Sequence, residues 1–238
     1  MHLLRRLILC LCFVLTHVQA FAQVLPPDTL GQRTKVRLET TCGNITIELF
    51  NETPIHRDNF IKLVNEQFYD SLLFHRTIHQ FVIQTGDPKS RTCERGTELG
   101  ETDSGYMLPA EIRYPELAHF RGAVAAARES DDKNPERKSS GSQFYIVWGK
   151  HFGKGMMERA RRMVQSQTSP EVIIPEAYDS LYWERGGTPT LDAQYTVFGQ
   201  VVEGMNVVNE IQMAETDDND RPLYEYRILR AYVLRDER

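Results

Sequence analysis

Two residues with chemistry to offer, Arg76 and Gln84, stand among aromatic and aliphatic neighbours in the stretch 74–87, FHRTIHQFVIQTGD. Phe74, Ile78 and Val82 fall on one parity, which predicts a strand pair closed by the turn Gly86-Asp87-Pro88. On such a surface a guanidinium and an amide face apolar side chains. Burying these donors without partners is costly, so they either pair internally or await a ligand. In a dry pocket the arginine offers a charge-assisted hydrogen bond, the stronger kind.

Other chemistries find little support. His75 and His79 would suit a metal only on a helix; on a strand their imidazoles sit about 13 Å apart with no carboxylate between them. No glycine-rich phosphate loop and no serine–histidine–acid set stands out. The chain has 28 Lys+Arg against 33 Asp+Glu, a net charge of −5, and no basic cluster, which argues against a nucleic-acid partner.

Two further stretches share the mixed apolar and polar character of the first. One is GAVAAAR at 122–128 followed by SGSQFYIV at 140–147; the other is LDAQYTVFGQVVEGM at 191–205. Taken in order, FHR-x-I-x-x-F-x-I-Q-x-GD, GSQF and LD-x-x-x-x-VFG-x-V-x-EGM resemble the cyclophilins, a family of peptidyl-prolyl cis-trans isomerases. The resemblance spans about Lys35 to Leu234. It implies a mainly β fold, a closed eight-stranded antiparallel barrel capped by two α-helices, acting without metal or cofactor on proline-containing peptides. Arg76 takes the place of the catalytic arginine and Gln84 that of the glutamine orienting it. Phe81, Val82, Tyr145 and Leu191 match the lining of the proline pocket, with Tyr195 as a further wall. Gln143, Ala127 and Arg128 match positions beside neighbouring substrate residues.

The chemistry implied is modest. Rotation about an X–Pro bond is slowed by amide resonance, with a barrier of about 18–20 kcal/mol. A cation donating to the proline nitrogen favours its pyramidal, twisted form, and a roughly 10⁵-fold acceleration needs about 7 kcal/mol of selective stabilisation. The sequence departs from the family in several places. Val82 replaces a usual methionine, Tyr145 a phenylalanine, Arg128 an asparagine, Tyr195 a histidine and Thr190 a tryptophan whose indole N–H often holds cyclosporin. Drug sensitivity is thereby put in doubt, while the arginine chemistry is kept. Two other classes compete: a non-catalytic peptide-binding chaperone using the same groove, and an unrelated barrel holding an apolar ligand inside. Retention of both Arg76 and Gln84 argues against the first, and a solidly packed interior would exclude the second.

The elements that must position these residues can be read along the chain. Residues 1–22 have the pattern of a signal peptide: Arg5 and Arg6, an apolar run from Leu7 to Leu15, and Ala20-Phe21-Ala22 as a cleavage site. The run is shorter than the roughly 20 residues of a spanning helix. An exported, most simply periplasmic, monomeric protein without stable membrane insertion is expected, with unfolded exported proteins as partners. Residues 23–34, with Pro26-Pro27, read as a tether, and 35–238 as the single domain. Cys42 and Cys93 remain after the leader, and the sequence leaves open whether they join.

Within the domain, Val36, Leu38, Ile45, Ile47 and Leu49 alternate as a hairpin turning at Cys42-Gly43-Asn44. Thr53-Pro54 opens a helix through Phe60, Leu63, Val64 and Phe68, with the Thr53 hydroxyl as N-cap. Pro109 to Ile112 suggests a short extended piece. A second helix starts near Met205, and Ile228 to Val233 is a final strand. Residues 150–188 are an insertion relative to the family pattern. Met156, Met157, Ala160, Met163 and Val164 predict a helix there. It either packs on the barrel's outside or reaches over the groove as a flap.

Overall fold

The computed structural model of the chain describes residues 31–234. The expected leader, most of the tether and residues 235–238 lie outside them. In chain order the elements are β1 (Lys35–Thr40), β2 (Gly43–Leu49), α1 (Pro54–Asn65), β3 (Arg76–Ile78), β4 (Val82–Thr85), β5 (Met107–Leu108), β6 (Ala123–Ala126), β7 (Ser139–Ser140), β8 (Phe144–Val147), α2 (Lys154–Gln167), α3 (Tyr178–Glu184), β9 (Val197–Glu203), α4 (Met205–Gln212) and β10 (Ile228–Val233). Eight strands form one antiparallel sheet in the order β10-β1-β2-β9-β6-β8-β4-β3, and β5 pairs with β7 apart from it.

The sheet curls strongly, and among the described residues no ladder joins its edge strands β10 and β3. The residues before β3 are tied to the start of β10 and the residues before it by single contacts: Phe74 N–H donates to Tyr226 O at 2.9 Å, Ile228 N–H to Leu72 O at 2.8 Å, and Leu73 bridges Arg227. The inside is solid. Leu38, Ile45, Ile47, Leu49, Ile83, Val124, Phe144 and Ile146 fill it with Phe60, Leu63 and Val64 of α1 and Val208 and Ile211 of α4. Phe60 meets Phe144 edge-on at 5.3 Å between ring centres, a favoured aromatic geometry. An apolar ligand has no room there, which removes the ligand-holding barrel from consideration.

Strands β6 and β8 are buried along their whole length, and alternation explains how. Val124, Ala126, Phe144 and Ile146 point into the barrel; Ala123, Ala125, Tyr145 and Val147 join a second apolar cluster outside it, with Val82 and Val197. The outer cluster underlies the candidate site.

Several local readings need amendment. The first hairpin turns at Thr41-Cys42, with Gly43 and Asn44 already paired to Thr40 and Glu39. Helix α1 does begin at Pro54, but the Thr53 hydroxyl caps nothing. Glu111 serves instead: its carboxylate accepts from the backbone N–H of Ile55 (3.1 Å) and His56 (2.9 Å), and from the His56 ring at 2.7 Å. A carboxylate at a helix N-terminus also complements the helix dipole. Burial outweighs that neighbour, so the His56 pKa lies below the usual imidazole value. Pro109 to Ile112 forms no strand; its service is to deliver Glu111. Residues 31–34, expected as tether, already lie on the domain: Arg33 pairs with Glu52 at 2.7 Å and covers the Phe50 ring. Cys42 and Cys93 are both free thiols.

The insertion has a core of its own. Phe152, Met157, Ala160, Val164, Ile174 and Tyr182 form a third buried cluster, with Tyr114 and Phe120 packed against it. Gly187 seals its base by bridging both Phe120 and Lys150. At its positive φ a Cβ would meet His119 O at 2.3 Å, so only glycine fits. Helix α2 contains the methionine-rich stretch from Met156 to Val164 that predicted it, and α3 was not foreseen. Met163, Ile173 and Trp183 of the insertion are exposed.

Replacing Glu111 by Ala leaves two helix N–H groups and the His56 ring unpaired, and is expected to cost about 2–3 kcal/mol. Urea unfolding of the variant measures it; an unchanged midpoint would mean that α1 is capped by other means.

Candidate active site

The antiparallel register brings the first two chemical residues together. Arg76 on β3 faces Gln84 on β4, Gln84 faces Tyr145 on β8, and Tyr145 faces Ala125 on β6. These residues form one transverse row on the outer face, where directly opposed side chains are neighbours. The turn at His79-Gln80, with Gln80 at φ 57°, joins the two short strands. Gly86 follows β4 at φ 100°, where a Cβ would strike Ser142 O at 2.2 Å, so only glycine fits.

Along this row lies a cleft of about 710 Å³. Nine of the ten residues singled out from sequence line it: Arg76, Phe81, Val82, Gln84, Ala127, Arg128, Tyr145, Leu191 and Tyr195. The tenth, Gln143, lies in the adjoining hollow with Gln84 and Ala127. Phe81, Val82, Leu191 and the two tyrosines supply apolar walls, and the Tyr145 and Tyr195 rings meet edge-on at 5.8 Å. The rim bears charge not foreseen from sequence, from Glu98, Glu101, Asp217, Asp220 and Arg221.

Hydrogen bonding departs from expectation in three places. Gln84 does not hold Arg76; its amide donates to Gln143 Oε1 at 2.9 Å. Gln143 in turn donates to Gly100 O and Thr102 O at 2.7 and 2.8 Å, so it anchors the rim loop. The fully buried Asp87 holds the same loop, accepting from Gly100 N–H at 2.6 Å and from the Thr102 hydroxyl. Among the described residues Arg76 forms one ion pair, with Asp220 at 3.4 Å, both side chains being about 40% exposed. Such a pair is weak and readily exchanged. Arg128 is occupied: it donates to Gln194 O at 2.9 Å and Glu129 O at 2.8 Å, pairs with Asp131 at 2.6 Å, and lies 4.6 Å from the Tyr195 ring. Its part is to hold the Tyr195 wall.

Beneath the cleft runs a buried polar chain that no sequence motif announced. The Tyr145 hydroxyl contacts His119 Nε2 at 3.0 Å, and His119 Nδ1 meets Asp192 Oδ1 at 3.0 Å. Asp192 Oδ2 accepts from the Tyr182 hydroxyl at 2.7 Å. Every member is at most 5% exposed. Asp192 lay in the quoted LD pair, but His119 is 73 residues distant in sequence and carried no local signal. The chain links α3 of the insertion to the floor of the cleft. His75, beside Arg76, is buried with both ring nitrogens unpartnered. Burial first, opposed by Asp87 and aided by Arg76 and Arg221, depresses its pKa to about 4. Among the described residues no histidine, cysteine and carboxylate grouping could hold a metal, and no helix is long and apolar enough to cross a membrane.

A curled antiparallel sheet packed solid within, bearing a peptide-sized cleft with an arginine on its outside, is a cyclophilin architecture. The chain belongs to that family: the description "Cyclophilin type peptidyl-prolyl cis-trans isomerase/CLD" matches residues 35–233. It is 33% identical over 205 residues to peptidyl-prolyl cis-trans isomerase-like 1 of Neurospora crassa, covering 86% of this chain and 96% of that one. A putative peptidyl-prolyl cis-trans isomerase of Staphylococcus epidermidis is 32% identical over 192 residues, 80% of this chain and 87% of its own. Among solved structures, a Cryptosporidium parvum cyclophilin determined in the presence of the dipeptide Ala-Pro superposes with a TM-score of 0.59 at 25% identity, over 85% of this chain and 99% of that one.

Two measurements test this interior. Tyr182→Phe leaves a buried Asp192 oxygen without its donor and is expected to cost about 1–3 kcal/mol in urea unfolding, with the ring packing kept; no loss would mean water replaces the hydroxyl. His75 titrates lower in the folded than in the unfolded chain, so the unfolded state binds the extra proton between pH 6.5 and 4. Stability is therefore lost as pH falls through that window, by roughly 3 kcal/mol at its lower end. His75→Phe should flatten the pH dependence of the unfolding free energy by about that amount, and parallel curves for the two proteins would contradict it.

Proposed function

We infer that the protein accelerates rotation about X–Pro bonds in exported polypeptides as they fold, acting as a monomer outside the cytoplasm. The observation carrying the reading is Arg76: a guanidinium at the edge of an apolar-walled cleft, restrained among the described residues by a weak, partly exposed pair with Asp220. A proline ring between Phe81, Val82, Leu191 and Tyr145 would bring its nitrogen toward that cation. Donation to the nitrogen lone pair withdraws it from amide resonance and selectively favours the twisted state, which is what catalysis requires. Gln84, tied to Gln143, fixes the row beside the bound backbone rather than the arginine itself. The solved relative obtained with Ala-Pro supports a proline-containing ligand. A groove that merely held chains would have no use for a free cation, which disfavours the chaperone-only reading. Export rests on the leader pattern at 1–22.

Arg76→Ala should lower kcat/KM in a protease-coupled proline-peptide assay at least hundredfold, about 2.7 kcal/mol of transition-state stabilisation. Its side chain is too exposed for the fold to depend on it, so the melting temperature should hold. Near-normal turnover by a stable variant would sink the mechanism.

A further inference from the structure

A second hollow of about 480 Å³ opens where the insertion faces the turn between β3 and β4. Ile78 and Phe81 form one side, and Phe152, Met156 and Met163 the other. Phe81 also lines the proline cleft, so the two hollows share a wall. A chain leaving one enters the other within a few residues, at about 3.3 Å per extended residue. The walls suit an apolar side chain of no fixed shape, because methionine thioethers are flexible and polarisable. Met163, on the same helix as the buried Met157, Ala160 and Val164, is 46% exposed. Thr188 also lines the hollow, and its hydroxyl is buried without a hydrogen-bond partner.

Charge gives a second, independent indication. The chain is acidic overall, and the lining of the proline cleft mixes Glu98, Glu101, Asp217 and Asp220 with Arg76, Arg128 and Arg221. The insertion-side hollow is basic alone: Lys150, Arg159 and His79 line it, with no carboxylate among its lining residues. Arg159 is exposed on α2 and forms no ion pair with any described residue.

We propose that this hollow is an insertion-built subsite for residues flanking the proline of a bound chain, on the side away from Gln143, taking an apolar side chain and a neighbouring carboxylate. The proposal rests on the adjoining cleft being the proline site. The insertion then selects among substrates without touching the bond that rotates.

The test uses the protein itself and a proline tetrapeptide extended on either flank by Leu-Glu, Leu-Lys or Gly-Gly. On one flank Leu-Glu should exceed Leu-Lys in kcat/KM by roughly two- to fivefold at low salt, as expected of exposed charge pairs, with the gap closing at high salt. Arg159→Glu should reverse that order, and the methyl resonances of Met156 and Met163 should shift when the Leu-Glu peptide is added. Equal rates for all extensions on both flanks, with both methyl signals unmoved, would overturn the subsite. So would equal methyl shifts with a peptide whose proline is replaced by alanine, since the hollow would then bind independently of the cleft. Failure to isomerise any peptide would remove the proline-site reading, whereas the methionine shifts report on the hollow alone.

Discussion

Burial of β6 and β8 on both faces is the constraint on which this molecule depends. A strand covered on one side alone can carry polar residues on the other. Here alternate residues of the same strands fill the barrel and floor the cleft, so a slip of one residue would exchange Phe144 and Ile146 with Tyr145 and Val147. The small side chains of Ala123 and Ala125 keep the outer face low enough to form a hollow, while Val124 and Ala126 close the inner one. Register therefore fixes fold and site in a single act. The transverse row from Arg76 through Gln84 to Tyr145 follows from the same ladder.

Polar groups under the cleft are arranged so that few oxygens or nitrogens stand alone. Asp87 and Gln143 hold the rim loop from below, and Arg128 links the segment carrying Tyr195, through Gln194 O, to the loop at Glu129 and Asp131. Asp192 gathers His119 and Tyr182, so the insertion enters the support of the cleft through a hydrogen-bonded chain and not only through apolar contact. A buried network of this kind is stiff when complete and costly when a member is removed. It leaves Arg76 as the exposed, lightly held cation beside walls that cannot easily shift.

Much was legible without coordinates. The 2.0-residue and 3.6-residue periods located Ile228–Val233, the helix from Pro54 and the helix of the insertion, because those patterns reflect which side of an element is buried. Glycine and proline located turns for steric reasons that are local. Residue type marked Arg76 and Gln84 as misplaced in an apolar stretch, and three ordered blocks indicated the family, which the comparisons then showed.

What the sequence could not contain was the pairing of distant polar atoms. Nothing near Glu111 says that it caps a helix begun at Pro54, since that depends on where the intervening chain folds back. The family resemblance made Gln84 the partner of Arg76, yet Gln84 took Gln143 once β8 lay alongside. His119 and Tyr182 carry no periodic signal, and their shared carboxylate on Asp192 exists only when the insertion docks. Periodicity and turn chemistry are short-range properties, so the residues themselves determined the elements and the type of chemistry. Hydrogen-bond partnership and the hollow between α2 and Phe81 arise from the juxtaposition of remote segments, so only the tertiary structure decided them.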